Sequence, residues 1–211
     1  MRENTLIVFH SDNGGTRSKM FAGESAVTGD LPPNNAPFRD GKGTLYEGGT
    51  RVVALANWPG HIPPGEAEGI MHVVDMLPTL AKLAGADLAR SKPLDGIDVW
   101  SALALGQAGR TQVVYNVEPT QGAVRDGKWK LYWHVALPPQ VELFDLEADP
   151  SEKNDVSAKH PAKVAELQAR VIALARSMAP PLFFAAALKA TLSAPLATPS
   201  AEVYELGVQD D

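Results

Sequence analysis

The sequence predicts an α/β protein, in which part of a mixed sheet with flanking helices is followed by a small antiparallel sheet with a covering helix. A continuous apolar run at 6–9 ends in a polar cluster, and the segments after about residue 107 alternate with a two-residue period. Residues 161–178 have helical spacing. We therefore expect two domains, 1–107 and 108–211.

The first predicted element is a strand at Leu6–Phe9. Its unbroken apolar character indicates a strand that is buried in the sheet. The polar sequence Ser-Asp-Asn-Gly-Gly follows directly, beyond the carboxyl end of the strand, where open α/β sheets place their ligands. From Thr16 to Arg39, prolines mixed with Gly and Asn indicate a long loop, and loops of this length are often functional.

A second strand is predicted in Arg51–Ala56, which leads into a Trp-Pro-Gly turn. A helix should follow, with Asp75 as its N-cap, Pro78 in its first turn and Gly85 as its end. Its apolar face, which we expect to pack on the sheet, comprises Leu77, Leu80, Ala81 and Ala84.

In the second half, the alternation of apolar and polar residues predicts half-buried antiparallel strands at 113–117 and at 129–135. Another strand is predicted at Val141–Leu146. The dipeptide Asp126-Gly127 is a strong hairpin signal. A helix is expected at Pro161–Met178, with Trp129 and Trp133 in the core of the small domain. The residues after 178 show no clear period, which predicts an irregular tail.

The composition of the chain excludes several classes of function. The formal net charge of −6 argues against a nucleic-acid partner, because neutralising phosphates requires a basic surface. The chain contains no Cys, which excludes disulfides, thiolate metal ligands and a Cys nucleophile. No apolar segment is long enough for a signal-peptide core or a membrane-spanning helix, and the compartment stays open.

Two short clusters carry residues suited to chemistry. Asp12 and Asn13 offer the hard oxygens that Ca²⁺ and Mg²⁺ prefer, although Asp-Asn-Gly is also an ordinary turn sequence. Lys42 lies between two glycines, where an ammonium can meet an oxyanion, although such lysines are usually solvated. Glu47 begins a Glu-Gly-Gly segment that should form a tight turn, with Arg51 as a partner for its carboxylate.

The order and spacing of these motifs resemble the sulfatase family, and the arylsulfatases most closely. The shared order is Ser-Asp-Asn-Gly-Gly, a long loop, Lys-x-x-x-x-Glu-Gly-Gly-x-Arg-Val, Trp-Pro-Gly and the Asp-Met-Leu-Pro-Thr-Leu helix. Segments 94–98, 123–132 and 142–155 are similar to later parts of the family. The resemblance covers residues 4–178.

The resemblance implies the carboxyl-terminal part of an alkaline-phosphatase-like fold that hydrolyses sulfate esters with one divalent cation, usually Ca²⁺, with Mg²⁺ as the alternative. It implies that Asp12 and Asn13 are metal ligands, and that Lys42 is a catalytic residue contacting the sulfate or the bridging oxygen. The metal cation and the ammonium of Lys42 would both stabilise charge on a transferring sulfuryl group. The implied substrate is a small sulfate ester or a sulfated glycan, and a periplasmic or secreted location fits the family.

The chain also departs from the family pattern. Sulfatases carry upstream acidic metal ligands and a Cys or Ser in Cys/Ser-x-Pro-x-Arg that becomes formylglycine, the nucleophile. Ser91 and Ser193 stand two residues before a proline, but the required Arg is absent after both. We therefore expect a sulfatase fragment that lacks the formylglycine segment, has no sulfatase activity alone and binds Ca²⁺ weakly.

Two alternatives remain open. One is a non-catalytic binding module or half-site partner derived from a sulfatase, and the other is a related phosphoryl or sulfuryl hydrolase of the same superfamily. A truncated sheet would also expose strand edges and apolar faces, so we expect self-association.

Overall fold

A computed structural model describes residues 2–16, 35–117, 121–134 and 140–177. Residues 1–173 form one compact unit, and a second unit spans 174–211. The predicted irregular tail and most of the predicted loop between Thr16 and Arg39 lie outside the described residues. The predicted domain boundary after 107 remains a prediction.

Six strands and four helices, with three short 3₁₀ turns, form the described part of the chain. The helices are α1 (Glu47–Thr50), α2 (Met76–Leu83), α3 (Trp100–Leu105) and α4 (Pro161–Ser177). The strands are β1 (Ile7–His10), β2 (Ala54–Asn57), β3 (Gln112–Val117), β4 (Gln121–Asp126), β5 (Trp129–His134) and β6 (Gln140–Asp145). None of the helices within these ranges has the length and apolar character required to cross a bilayer.

Strands β1 and β2 pair antiparallel as a two-stranded ribbon, with Phe9 opposite Leu55. The predicted strands are confirmed, but the prediction that the first is buried is wrong. Every residue of β1 is exposed, and Phe9 retains 58% of its accessible surface. The face of the ribbon with Phe9 and Leu55 is the more open one, whereas Val8 on the opposite face retains 38% of its accessible surface.

The carboxylate of Asp75 does not act as the predicted helix cap. Although Asp75 directly precedes α2, its side chain makes no capping bond to that helix. Its Oδ2 accepts the N–H of His72 at 2.8 Å, and its Oδ1 accepts the N–H of Ile97 at 2.9 Å and Nη2 of Arg110 at 2.7 Å. The ion pair with Arg110 explains the difference, because it engages the fully buried carboxylate elsewhere.

Helix α2 ends as predicted but does not bury its predicted apolar face. Gly85 has φ of 69°, the left-handed conformation that terminates helices. Leu77 and Leu80 remain 58% and 42% exposed, so the expectation that this face packs on the sheet is wrong. The two-stranded ribbon is too small to cover the apolar face of α2.

Strands β3 to β6 form an antiparallel sheet in consecutive order, which confirms the prediction for the second half. Gly127 has φ of 56° in the predicted Asp-Gly hairpin turn. One face of this sheet packs on Leu45 and Tyr46, and the other packs on α4 through Leu167. Trp129 and Trp133 pack against the second of these clusters, as expected for core residues.

Both faces of the four-stranded sheet are therefore covered, which corrects the prediction of half-buried strands. Tyr132 and Lys130 fall on the supposedly polar face of β5, yet both are buried. The covering segment is Leu45–Glu47, which is distant in sequence from the sheet. Strand periodicity reports which residues share a face, but not whether another segment lies over it.

Candidate functional site

The turn after β1 carries Asp12 and Asn13 at the predicted strand end. Oδ1 of the exposed Asp12 accepts the N–H of Asn13 at 3.0 Å, and Nδ2 of Asn13 donates to the carbonyl of Gly14 at 2.8 Å. Within the described residues, neither Oδ2 of Asp12 nor Oδ1 of Asn13 accepts a hydrogen bond. The segment therefore forms an ordinary turn and still presents two oxygens that can bind a cation.

Lys42 lies on a loop that is hydrogen-bonded to this turn. The N–H of Lys42 donates to the carbonyl of Gly15 at 3.2 Å. Asn35 joins the two segments further, since its Nδ2 donates to the carbonyls of Gly15 at 2.9 Å and Asp40 at 2.8 Å. The structure thus brings the backbones of the two predicted clusters together, although they are far apart in sequence.

The turn after β1 also packs directly on the backbone of α1. The N–H of Gly14 donates to the carbonyl of Gly49 at 2.9 Å. A Cβ atom at position 14 would lie 1.8 Å from the carbonyl oxygen of Gly48, so this position admits no side chain. The predicted tight turn at Glu-Gly-Gly is a single helical turn, and its glycines allow this close backbone contact.

Sequence reasoning missed a buried ionic cluster, formed by Glu47, Lys130 and Glu152, beneath α1. Nζ of Lys130 lies 2.9 Å from Oε1 of Glu47 and 2.9 Å from Oε1 of Glu152. Two arginines lie at the edge of the cluster, since Nη1 of Arg51 and Nη1 of Arg125 are 3.9 and 4.0 Å from Oε2 of Glu47. The predicted pairing of Glu47 with Arg51 is confirmed, but Lys130 is the closer partner.

The two carboxylates of the ionic cluster respond differently to their surroundings. Burial by itself raises the pKa of Glu47, but the charge and hydrogen bond of Lys130, helped by Arg125, outweigh burial and lower it. For Glu152, burial outweighs the attraction of Lys130, and the pKa is raised.

A cleft of about 560 Å³ lies apart from the predicted site residues. Asp12, Asn13 and Lys42 do not line it. Its walls come from residues 37–40, from Glu142 and Phe144 of β6, and from the segment 151–155. Four carboxylates and two cations line these walls, so acidic side chains predominate in the cleft.

The oxygens of Asp12 and Asn13 suit a hard cation but do not complete its coordination. Ca²⁺ takes about six to eight oxygen ligands, and these two side chains supply only part of that set. In the part of the chain that the structure describes, no three His, Asp or Glu residues cluster as a metal site. The donor types fit Ca²⁺ or Mg²⁺, and further ligands are needed.

Comparisons with known proteins relate the sequence of this chain to one protein family. Residues 1–86 match the family model described as Sulfatase. Arylsulfatase A of Bos taurus is 38% identical over 175 residues, which cover 70% of this chain and 32% of that protein.

Solved structures give the same relationship. One, from a study of glycosaminoglycan metabolism by Bacteroides thetaiotaomicron, has a TM-score of 0.67 at 26% identity and covers 82% of this chain and 39% of that one. PsFucS1 sulfatase from Pseudoalteromonas sp. has a TM-score of 0.62 at 27% identity, with 81% and 37% covered.

The chain spans about a third or less of the length of the curated relatives it matches. The solved structures share the sulfatase, alkaline-phosphatase-like fold, which confirms the predicted fold class. The motifs at the strand end and around Lys42 lie within the matched residues 1–86. The chain belongs to the sulfatase family.

Proposed function

We propose that this chain forms part of the divalent-metal and sulfate site of a sulfuric ester hydrolase. In this proposal Asp12 and Asn13 are metal ligands, and Lys42 is the catalytic cation that contacts the sulfate. The observation that carries it is the hydrogen bond from the N–H of Lys42 to the carbonyl of Gly15, which holds the lysine loop beside the Asp-Asn turn.

Each of these side chains has a defined task. The carboxylate of Asp12 is exposed, so a cation can reach it from solvent. Lys42 is only half-buried and is flanked by glycines, so its ammonium can approach a sulfate oxygen or the bridging ester oxygen and donate a hydrogen bond there. A bound Ca²⁺ or Mg²⁺ would supply positive charge opposite the transferring sulfuryl group.

The substrate class that we propose is a sulfate ester, either a small aryl ester or a sulfated glycan. The relatives reported above, which include an arylsulfatase and PsFucS1 sulfatase, support the sulfate ester as the common group. The chain contains no Cys and no Ser in the Ser-x-Pro-x-Arg context. We therefore propose that turnover requires a formylglycine nucleophile outside these 211 residues.

Calorimetric titration of the 211-residue chain with Ca²⁺ tests the metal site. We expect weak binding that Asp12→Ala and Asn13→Ala both abolish. Asp87→Ala is the matched control, because Asp87 is another exposed loop aspartate whose Oδ1 accepts a nearby backbone N–H, that of Ala89 at 2.8 Å. Equal affinity in the unmodified chain and in Asp12→Ala would refute the metal assignment.

A chromogenic aryl sulfate tests whether turnover needs an outside nucleophile, and binding of inorganic sulfate tests the role of Lys42. We expect no turnover by the chain alone. We expect Lys42→Ala to bind inorganic sulfate more weakly than the unmodified chain does. Lys92→Ala, at an exposed lysine of another loop, should leave sulfate binding unchanged. Turnover by the chain that disappears in Asp12→Ala would contradict the requirement for an outside nucleophile.

A further inference from the structure

We infer that Lys130 and Glu152 are positioning residues for the proposed metal and sulfate site, because their buried contacts with Glu47 fix the helical turn on which the Asp12–Asn13 turn rests. The identity of this site rests on the proposed function, whereas the contacts that link Lys130 and Glu152 to it are independent of that function.

The first contact joins the four-stranded sheet to α1. Lys130 and Glu152 are fully excluded from solvent, and Glu47 nearly so. A buried ammonium is stable only when carboxylates and hydrogen bonds surround it, so Lys130 holds both glutamates in place. Oε2 of Glu152 also accepts the N–H of Glu47 at 2.6 Å. Glu47 is therefore fixed at both its side chain and its backbone.

The second contact joins α1 to the turn after β1. The carbonyl of Gly49 accepts the N–H of Gly14, and the carbonyl oxygen of Gly48 lies 1.8 Å from the position that a Cβ atom of residue 14 would take. No side chain lies between the two backbones to absorb a shift. Because packed interiors transmit displacement, a movement of α1 must displace Gly14 and its neighbour Asn13.

A parallel contact reaches the segment that leads into the Lys42 loop. Nη1 of Arg39 donates to the carbonyl of Glu152 at 3.0 Å, and the carbonyl of Arg39 accepts the N–H of Gly48 at 2.9 Å. The guanidinium also lies 3.8 Å from the ring centroid of Tyr46. Glu152 thus fixes both α1 and the approach to Lys42.

The test compares Lys130→Met and Glu152→Gln with Lys128→Met in the 211-residue chain. Lys128 lies two residues before Lys130, and its Nζ pairs with Asp145 at 2.7 Å at the surface. Two readouts are needed: the amide ¹⁵N–¹H resonance of Gly14, and the Ca²⁺ affinity. Denaturant unfolding identifies the conditions in which every variant is folded.

We expect Lys130→Met and Glu152→Gln to shift the Gly14 resonance and to weaken Ca²⁺ binding by about 10-fold or more, as loss of outer-shell support does. Lys128→Met should change neither. Glu152→Gln keeps the side-chain shape and an acceptor for the Glu47 N–H, so it carries the test if Lys130→Met does not fold.

The outcomes separate this inference from the proposed function. Folded variants with an unmoved Gly14 resonance and unchanged Ca²⁺ affinity would overturn the positioning role, leaving a purely structural cluster. If the Gly14 resonance moves but the unmodified chain binds no Ca²⁺, the positioning contacts stand and the proposed metal function fails.

Discussion

Nη2 of Arg110 donates to Oδ1 of Asp75 at 2.7 Å, and this carboxylate is fully buried. The same side chain accepts the backbone N–H groups of His72 and Ile97. One carboxylate therefore joins the start of α2, the segment before α3 and the segment before β3. The stability of the first half of the chain should depend on it.

Asp75→Ala should lower the free energy of unfolding by about 3–5 kcal/mol, because it removes one partner of a buried ion pair and leaves buried donors without an acceptor. Urea unfolding followed by Trp fluorescence measures this. Lys82→Met is the control, since Lys82 is exposed and its 2.6 Å pair with Asp98 lies at the surface. The control should cost at most about 1 kcal/mol, and equal losses would disprove the joining role of Asp75.

The pH dependence of stability should include a contribution from His72. Burial, helped by the charge of Arg110, lowers the pKa of His72 below 6.5, and its neutral Nδ1 accepts the N–H of Val74. As the pH falls through 6.5, the unfolded chain takes up this proton before the folded chain does. The free energy of unfolding should therefore decrease from that pH down to the folded pKa.

His72→Asn keeps a capping acceptor and should remove this part of the pH dependence. His61→Gln, at an exposed histidine, is the control. Urea unfolding between pH 7.5 and pH 5 provides the comparison. The same pH slope in His72→Asn and in the unmodified chain would rule out His72 as its source.

Gly122→Ala should disturb the four-stranded sheet. A Cβ atom at position 122 would lie 1.9 Å from Cη2 of Trp133, so the indole must leave its position over the glycine. We expect a loss of about 1–3 kcal/mol in unfolding free energy and a shifted Trp emission. Gly65→Ala, where nothing lies within 4 Å, should change stability by at most about 0.5 kcal/mol. A tolerated alanine at 122 would mean that the indole is free to repack.

The β1–β2 ribbon should promote self-association of the chain. Phe9 and Leu55 lie opposite each other and are 58% and 64% exposed, which gives an apolar patch on the ribbon. Among the described residues, no third strand pairs with either edge of the ribbon. Sedimentation should show association that rises with concentration and that Leu55→Lys reduces. Ile172→Lys, at an exposed residue of α4, should have no such effect. A chain that stays monomeric at every concentration would contradict this prediction.

Local signals predicted the elements that depend on local physics. The Asp126-Gly127 pair specified its hairpin because the turn needs a left-handed residue, and the helical spacing of 161–178 specified α4. The strand end at Asp12 was predictable for the same reason, since an apolar run gave way to turn residues.

Partners distant in sequence were not predictable. Lys130 alternates with apolar residues as a solvent-facing residue would, and its burial depends on Glu47 and Glu152, which are distant from it in sequence. Asp75 had the position of a helix cap, but Arg110 engages it instead. The exposure of β1 was not predictable either. An apolar strand pattern predicts that the strand is buried, but it does not show whether another segment packs against it.

The consecutive order of β3 to β6 has a consequence for how the chain folds. Each of these strands meets the strand next to it along the chain, so only short loops must close. By contrast, β1 can meet β2 only after the long intervening segment has closed. Contacts between near neighbours form fastest, so we expect the meander and α4 to act as the nucleus from which the remainder of the unit assembles.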